Sequence, residues 1–268
     1  MTRAPVVADR FYPGDPERLC AAVRTLTPVV AEEEKQQALA VVLPHAGYMY
    51  SGATAGITIS RVRVPETVLL LGPNHHGRGA ACALSPDDWR TPLGTAALDR
   101  ELAAAILRHS PQIVADAEAH RAEHSLEVQI PFLQQVQPRL RIVPLAVSRI
   151  PYEGCRSVAS SLAAAIRDFA QPVLLVASTD MSHYEERSQA AHKDRLAIER
   201  ILALDPQGLY TTVLGNRISM CGVMPTTIAL LVALELGATR SELVRYTDSG
   251  EASGDTRQVV GYAGLIVS

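Results

Sequence analysis

Short, continuous apolar runs alternate along the chain with longer segments that mix polar, charged and small residues. Three of the runs, Leu39 to Leu43, Thr67 to Leu71 and Val173 to Ser178, are rich in Val and Leu. Runs of this kind are typical of parallel strands that are buried on both faces of a sheet. Leu140 to Val147 is a fourth candidate strand. The pattern therefore predicts a mostly parallel or mixed central sheet.

Segments between these runs predict helices that flank the sheet. Helices are expected over Asp15 to Leu26, Ala53 to Arg61, Asp99 to His109, Glu153 to Phe169, Gln189 to Leu204, Pro206 to Leu214 and Met224 to Leu236. Pro131 would kink or restart a further helix that begins near Ser125. Trp89 to Gly94 is turn-like. Alternating strands and helices define an α/β fold, and we expect a single domain over residues 1–268.

Each of the three apolar runs is followed within a few residues by a histidine. His45 follows the first run, the pair His75 and His76 follows the second, and Asp180 with His183 follows the third. Ligands of open α/β sheets bind outside the carboxyl ends of the strands. We therefore expect these side chains to meet at one edge of the sheet and to form a site there.

Composition and charge narrow the classes of partner. Hydrophobic residues make up 47% of the chain and charged residues 20%, which is ordinary for a globular protein. The formal net charge is -3, and the 25 Lys and Arg residues are scattered along the chain. Without a basic run there is no electrostatic reason to expect nucleic acid or an anionic membrane as partner. A small-molecule substrate fits better.

The termini, apolar segments and cysteines indicate a cytoplasmic protein. The amino terminus lacks the apolar core of a signal peptide. The longest apolar stretch, Gly222 to Ala238, is interrupted by polar residues and is shorter than the roughly 20 residues of a membrane span. The four cysteines form no CxxC pair, so neither a disulfide framework nor a zinc ribbon is indicated.

The residue types at the predicted sheet edge point to a transition metal. Two histidines and one anionic ligand on one face are the pattern of open non-haem iron sites. Asp180, Glu127 and Cys221 are the candidate anionic ligands. Cys221 stands just before an apolar helix, whose amino terminus would favour a thiolate, although most free cysteines are simply small buried hydrophobes. Tyr48 and Tyr184 could donate hydrogen bonds to a substrate.

Common nucleotide-binding and hydrolase motifs are absent from the sequence. The chain has no GxGxxG, Walker phosphate loop, GxSxG elbow or HExxH sequence. Nucleotide binding and serine hydrolase chemistry therefore lose support.

A set of motifs, in order along nearly the whole chain, resembles the Memo family, including its bacterial members. The motifs are Phe11-Tyr12-Pro13, Pro44-His45-Ala46-Gly47-Tyr48, Gly72-Pro73-Asn74-His75-His76, Glu123-His124-Ser125-Leu126-Glu127, Ser178-Thr179-Asp180-Met181-Ser182-His183, Cys221-Gly222 and the closing Ser253 to Gly264. The resemblance implies a fold similar to the class III extradiol dioxygenases. It also implies that His45, His75 and Cys221 bind the metal.

The resemblance extends to the rest of the pocket. It implies that Asp180 and His183 belong to the site and that His124 and Glu127 line it. We expect His183 or His124 to act as acid or base and Asp180 to orient a histidine. The expected substrate pocket comprises Tyr48, Asn74, His76, Glu127 and Tyr184. His76 could equally be a ligand, a hydrogen-bond donor to a ligand or a residue of the loop.

Iron, as Fe2+, is the expected cofactor, and copper is the alternative that the thiolate would favour. The resemblance also implies a functional association with a radical-SAM protein. The leading hypothesis is redox chemistry of a dioxygenase-like oxidoreductase on a small substrate. Two alternatives stay open at this point: a non-catalytic metal-binding or peptide-binding protein, and a cysteine-dependent hydrolase that uses Cys221 with His183 and Asp180.

Overall fold

A mixed sheet of twelve strands forms the centre of the computed structural model, which describes residues 1–268. The strands are β1 (Thr2–Arg3), β2 (Ala40–Leu43), β3 (Thr67–Pro73), β4 (Cys82–Leu84), β5 (Asp88–Thr91), β6 (Gly94–Leu98), β7 (Val114–Ala115), β8 (Arg141–Val147), β9 (Val173–Ser178), β10 (His183–Glu185), β11 (Ser241–Asp248) and β12 (Val259–Val267). The main strand order is β1-β5-β6-β8-β3-β9-β2-β12-β10, with β11 paired to β12 and β4 to β8.

The central strands β8, β3, β9 and β2 are parallel, whereas β12 runs antiparallel to β2. Leu70 of β3 lies beside Val176 of β9, and Val41 of β2 lies beside the same Val176. This register brings the carboxyl ends of β2, β3 and β9 to one edge of the sheet. The predicted α/β fold with a mixed sheet is confirmed.

Nine helices flank the sheet. They are α1 (Pro16–Leu26), α2 (Tyr48–Ser60), α3 (Arg100–His109), α4 (Ile130–Val136), α5 (Tyr152–Phe169), α6 (Arg187–Leu202), α7 (Pro206–Gly215), α8 (Val223–Glu235) and α9 (Gly250–Ser253), with short 3₁₀ turns at Glu32–Glu34, Glu118–His120 and Glu127–Gln129. None of the helices is long and apolar enough to cross a membrane.

The central strands are apolar throughout because both faces of the sheet are covered. Leu69 and Leu71 of β3 belong to a core shared with α3, α5 and α8. Val68 and Leu70 of the same strand point the other way, into a core shared with α1, α2 and α4. Alternate side chains of one strand therefore fill two separate cores, which accounts for the absence of a polar alternation in the sequence.

Two local predictions were wrong. Helix α2 begins at Tyr48, five residues before the predicted start, because the backbone N–H of Tyr48 donates to Phe11 O and Gly47 occupies the N-cap position. The segment Trp89 to Gly94, predicted as a turn, contains the end of β5 and the first residue of β6, and only residues 92–93 form the turn of the β5–β6 hairpin. The fully buried Trp89 ring holds this hairpin in place, and its Nε1 donates to Ser85 Oγ.

Candidate metal centre

His45, His75 and Cys221 meet at the carboxyl ends of the parallel strands. His45 lies two residues beyond β2, His75 two residues beyond β3, and Cys221 two residues before α8. One potential ligand atom from each of the three side chains lies within 4.8 Å of the other two. His45 Nε2 is 3.3 Å from Cys221 Sγ. The strand topology thus brings together two imidazoles and a thiol from three distant parts of the sequence.

The ring of His45 is fixed by a chain of hydrogen bonds behind it. Ser178 Oγ donates to Ser125 O at 2.7 Å and accepts from Gln129 Nε2 at 2.9 Å. The Ser178 hydroxyl has only one hydrogen, so the contact of 2.9 Å between His45 Nδ1 and Ser178 Oγ requires the hydrogen to be on Nδ1. His45 Nε2 is then left with a free lone pair that faces Cys221.

Glu123 fixes His75 in the same way. Its carboxylate accepts from the backbone N–H of His75 at 2.7 Å and from His75 Nδ1 at 2.9 Å. Burial opposes ionisation of Glu123, but the hydrogen bonds that it accepts from His75 and from the backbone N–H of Ser125 hold the pKa of the carboxyl well below its usual range. An ionised carboxylate only accepts, so His75 Nδ1 carries a hydrogen and Nε2 is free to bind a metal.

Cys221 is held against the end of β9. Its Sγ accepts a hydrogen bond from the backbone N–H of Asp180 at 3.2 Å. Gly222 allows this approach, because a Cβ there would lie 2.4 Å from Ser178 O. Burial, followed by the charge of Asp180, raises the pKa of the Cys221 thiol to about 12. A nearby cation would have to supply the charge that stabilises a thiolate.

His124 completes a group of three imidazoles. Its ring stacks on His75 with 4.7 Å between ring centroids and meets His45 edge-on at 5.5 Å. Burial lowers the pKa of His124 to about 4, against the opposing charge of Glu123. His124 is therefore neutral at pH 7 and able to accept a proton. Together with Glu123 and His75 it forms a second set of potential ligands within 4.8 Å of one another.

Asp180 forms no hydrogen bond with a histidine ring, contrary to the expectation that it orients one. Its Oδ1 accepts from the backbone N–H of His45 at 2.7 Å. Asp180 thus holds the peptide turn that presents His45, while Ser178 and Gln129 orient the ring. Burial raises the pKa of Asp180 to about 7.

His183 lies at the start of β10, in the wall of a cavity that also exposes the rings of His45, His75 and His124. Its backbone N–H donates to Ser219 Oγ at 2.7 Å, whereas its buried Nδ1 has no hydrogen-bond partner. Burial lowers the pKa of His183. The neighbouring Tyr184 has a positive φ of 57°, adopted at a bulge in the β10–β12 pairing. Its ring is 73% exposed and lines the cavity.

The cavity over the three imidazoles has a volume of about 630 Å³. His45, His75, His124, Asp180, His183 and Tyr184, all expected in the site, line it. Ten further residues line it, and the largest of these, none of them predicted in the site, are Arg10, Phe11, Tyr50 and Tyr262. Phe11 packs against His124 with 4.8 Å between ring centroids. These residues come from segments far apart in sequence, and only the fold brings them to one cavity.

Four of the five residues expected in the substrate pocket lie elsewhere. The Tyr48 hydroxyl is committed to Val128 O at 2.7 Å, and its ring packs on Phe132. Asn74 lines a smaller cavity of about 380 Å³ on the other side of His75 and Cys221. His76 is exposed and lines neither cavity. These predictions are corrected: Asn74 and His76, on either side of His75, do not line the cavity over the imidazoles, and the Tyr48 hydroxyl is hydrogen-bonded inside the core.

Glu127 is the fourth of these residues, and it anchors the amino-terminal arm. Its side chain is fully buried and forms an ion pair with Arg3 Nη1 at 2.7 Å. The same carboxylate accepts from Tyr12 Oη at 2.6 Å and from the backbone N–H groups of Val6 and Val7. Glu127 therefore holds the arm in the fold and does not face the substrate pocket.

The donor set fits a divalent transition metal. Burial lowers the pKa of His45 and raises that of Cys221, so both groups are uncharged at neutral pH without a cation. A divalent ion supplies the positive charge that a thiolate needs, and imidazole and thiolate ligands suit iron, copper and zinc better than Mg2+ or Ca2+. The cavity beside the ligand atoms leaves room for a small molecule.

Fold and site together define an α/β protein with a candidate metal centre at the carboxyl edge of its sheet. The sequence matches the family described as Memo-like protein over residues 3–266. The chain belongs to the Memo family. It is 41% identical to a MEMO1 family protein of the archaeon Methanopyrus kandleri, with 99% of both chains covered, and 40% identical to one of Aquifex aeolicus, with 98% of both covered.

A solved structure shares the fold at low sequence identity. It is the crystal structure of an uncharacterized protein from Escherichia coli K12, with a TM-score of 0.56 and 16% identity over 85% of this chain and 98% of that chain. This likeness concerns the fold alone. The relatives include archaeal proteins beside that of Aquifex aeolicus, so the likeness extends beyond the bacterial members of the family.

Proposed function

We propose that this chain binds one transition-metal ion through His45 Nε2, His75 Nε2 and Cys221 Sγ and carries out redox chemistry on a small organic substrate. The observation that carries the proposal is the convergence of these side chains, whose ligand atoms lie within 4.8 Å of one another. The hydrogen-bonding of both Nδ1 atoms supports it, because each ring then offers only Nε2 to a metal.

Iron is the proposed metal and copper the alternative. Bound iron would act as a Lewis acid and an electron-transfer centre at the base of the cavity. Around it, His124 and His183 are the proposed proton acceptors, because burial lowers the pKa of both imidazoles and keeps them neutral. Asp180 and Glu123 hold the peptide segments of His45 and His75 and keep the two rings aimed at one point.

Metal analysis on protein purified without oxygen and without an affinity tag tests the proposal. We expect about one iron per chain, and loss of the metal in His75→Ala and in Cys221→Ser. Gln129→Leu should keep the fold and weaken metal affinity by roughly 10-fold to 100-fold, the usual cost of removing a hydrogen bond behind a ligand.

Two neighbouring residues provide matched controls. His76→Ala removes an exposed imidazole next to His75, and Cys20→Ser removes a partly exposed thiol far from the site. Both variants should keep the full metal content. Stoichiometric metal in Cys221→Ser, or none in the unmodified chain after reconstitution with iron or copper, would contradict the proposal.

The hydrolase alternative loses its geometric basis. Cys221 Sγ contacts His45, not His183, and Asp180 contacts a backbone N–H. A buried thiol with a pKa of about 12 is a poor nucleophile.

The non-catalytic alternative is tested by measuring oxygen uptake with catechol-like substrates. Only an oxidase or oxygenase consumes oxygen, so uptake distinguishes an enzyme from a binding protein. Association with a radical-SAM protein stays a prediction, which co-purification from the native cell would test.

A further inference from the structure

Arg10 places a positive charge in the wall of the cavity above the metal centre. It lies on the amino-terminal arm, is exposed, and lines the same cavity as His45 and His124. Its guanidinium forms no ion pair or side-chain hydrogen bond with another residue of the chain. A guanidinium that is free at the wall of a cavity is available to a ligand.

The arm holds Arg10 in a defined position. The backbone N–H groups of Arg10 and Phe11 both donate to Val7 O, at 3.1 and 2.9 Å, and that of Asp9 donates to Tyr12 O at 2.8 Å. Phe11 O in turn accepts from the backbone N–H of Tyr48 at the start of α2. Arg10 therefore stands on a closed turn that is docked to the body of the protein.

Aromatic rings form much of the remaining wall. Phe11, Tyr50, Tyr184 and Tyr262 all line the cavity, and they come from the arm, α2, β10 and β12. Flat apolar surfaces of this kind favour a planar ligand that stacks on them or meets them edge-on.

Negative charge is scarce in the same cavity. Asp180 is the only carboxylate among the lining residues, and it accepts a hydrogen bond from the backbone N–H of His45. A cationic substrate would therefore find no free carboxylate, whereas an anionic one would find Arg10. At the N-terminus of α2, the backbone N–H of Tyr48 is already paired with Phe11 O, and the N–H of His45 just before it is paired with Asp180.

We propose that the substrate is a small planar carboxylate, with Arg10 binding the carboxylate group and the aromatic wall packing on the ring. Arg10 is thus a specificity residue, contributed by the amino-terminal arm. The inference rests on the proposed function for the identity of the reaction, but the binding preference it predicts is a property of the cavity wall and does not require the metal.

Ligand-observed NMR titrations test this proposal with benzoate, uncharged benzamide and non-planar cyclohexanecarboxylate as probes. Each is titrated at low ionic strength against metal-loaded and metal-stripped protein, with the metal content measured on every sample. We expect benzoate to bind more tightly than both other probes, and Arg10→Gln to weaken benzoate binding about tenfold while leaving benzamide unchanged. Added salt should weaken benzoate binding only.

Arg18→Gln is the matched control. Arg18 belongs to α1 and lines a neighbouring depression but not the cavity above the metal centre. The Arg18→Gln variant should bind benzoate as tightly as the unmodified chain does. Equal binding of benzoate and benzamide, or benzoate binding that survives in Arg10→Gln, would overturn the proposal.

The metal measurements separate this inference from the proposed function. An Arg10-dependent preference for benzoate in metal-stripped protein supports the inference even if no variant changes the metal content. Benzoate binding that needs the metal and ignores Arg10 would overturn it while leaving the metal centre intact.

Discussion

Single side chains fix the orientation of the candidate ligands through hydrogen bonds. The roles of these side chains were only partly predictable from the sequence. His45, His75 and Cys221 were predicted as ligands through the family motifs, and the structure brings them together. No role was predicted for Glu123 or Ser178, although both stand within those motifs. A carboxylate or hydroxyl beside a histidine is as often a helix or turn cap as a partner of the ring, and only the fold distinguishes the two.

His120, a residue outside the site, gives a prediction for the effect of pH on stability. Its buried Nε2 contacts Ala83 O at 2.9 Å, so the hydrogen is on Nε2, while Nδ1 has no partner and Arg3 lies nearby. Burial lowers the pKa of His120 from 6.5 to about 4. Because the folded pKa is depressed, the stability contributed by neutral His120 is present above pH 6.5 and is lost as pH falls towards 4.

We expect this single group to remove about 2 kcal/mol of unfolding free energy between pH 7 and pH 5. Chemical denaturation at the two pH values measures this loss of unfolding free energy. The His120→Gln variant should lose less stability than the unmodified chain over the same pH range. His192→Gln, which changes an exposed residue of α6, should follow the unmodified chain. An acid loss in His120→Gln equal to that of the unmodified chain would refute the assignment.

Elements were predicted best where a single physical signal dominated. The buried parallel strands β2, β3, β8 and β9 followed from continuous apolar runs, since only such runs can be covered on both faces. The predicted start of α2 was wrong because the composition of Tyr48 to Gly52 is typical of a loop. In the fold these residues are helical, and the glycines at positions 52 and 56 allow α2 to pack closely on Leu26 at the end of α1.

Gly56 makes that close packing measurable. A Cβ at this position would lie 2.1 Å from Leu26 O and 2.6 Å from Leu26 C, both backbone atoms at the end of α1. Gly56→Ala must therefore push the two helices apart, and we expect a loss of about 3 kcal/mol in unfolding free energy. Gly154→Ala is the matched change in α5, where the nearest atom is 3.5 Å away.

Gly154→Ala should be neutral or stabilise the protein by about 0.5 to 1 kcal/mol, because alanine favours the helix without a clash. Urea denaturation of both variants measures the difference. Equal stability of the two would mean that the contact between α1 and α2 adjusts at little cost and that the glycine is not required there.

At the scale of the whole molecule, topology was predictable and the cavity wall was not. Strand order gathers residues near positions 45, 75 and 180 at one edge, which follows from the parallel arrangement. Cys221 precedes α8 and follows no strand, so only the family motif placed it in the site. The opposite wall depends on the amino-terminal arm, which Glu127 and Arg3 hold through a buried ion pair. No periodicity in the first 14 residues indicates that contact, because it is made by single polar side chains across more than 100 positions of sequence.

The same topology couples metal binding to global stability. Each ligand comes from a different segment, so an unfolded chain cannot hold all three together, and a metal that binds only the folded state must stabilise it. At a free Fe2+ concentration 100 times Kd, the stabilisation is about 2.7 kcal/mol, which corresponds to a rise in Tm of roughly 5 to 10 °C. Differential scanning calorimetry without oxygen should show this rise in the unmodified chain and in His76→Ala. The His45→Ala and Cys221→Ser variants should lack this rise in Tm, because the two remaining ligands retain little affinity for the metal. An undiminished rise in Cys221→Ser would instead place the metal at the second cluster, formed by His75, Glu123 and His124.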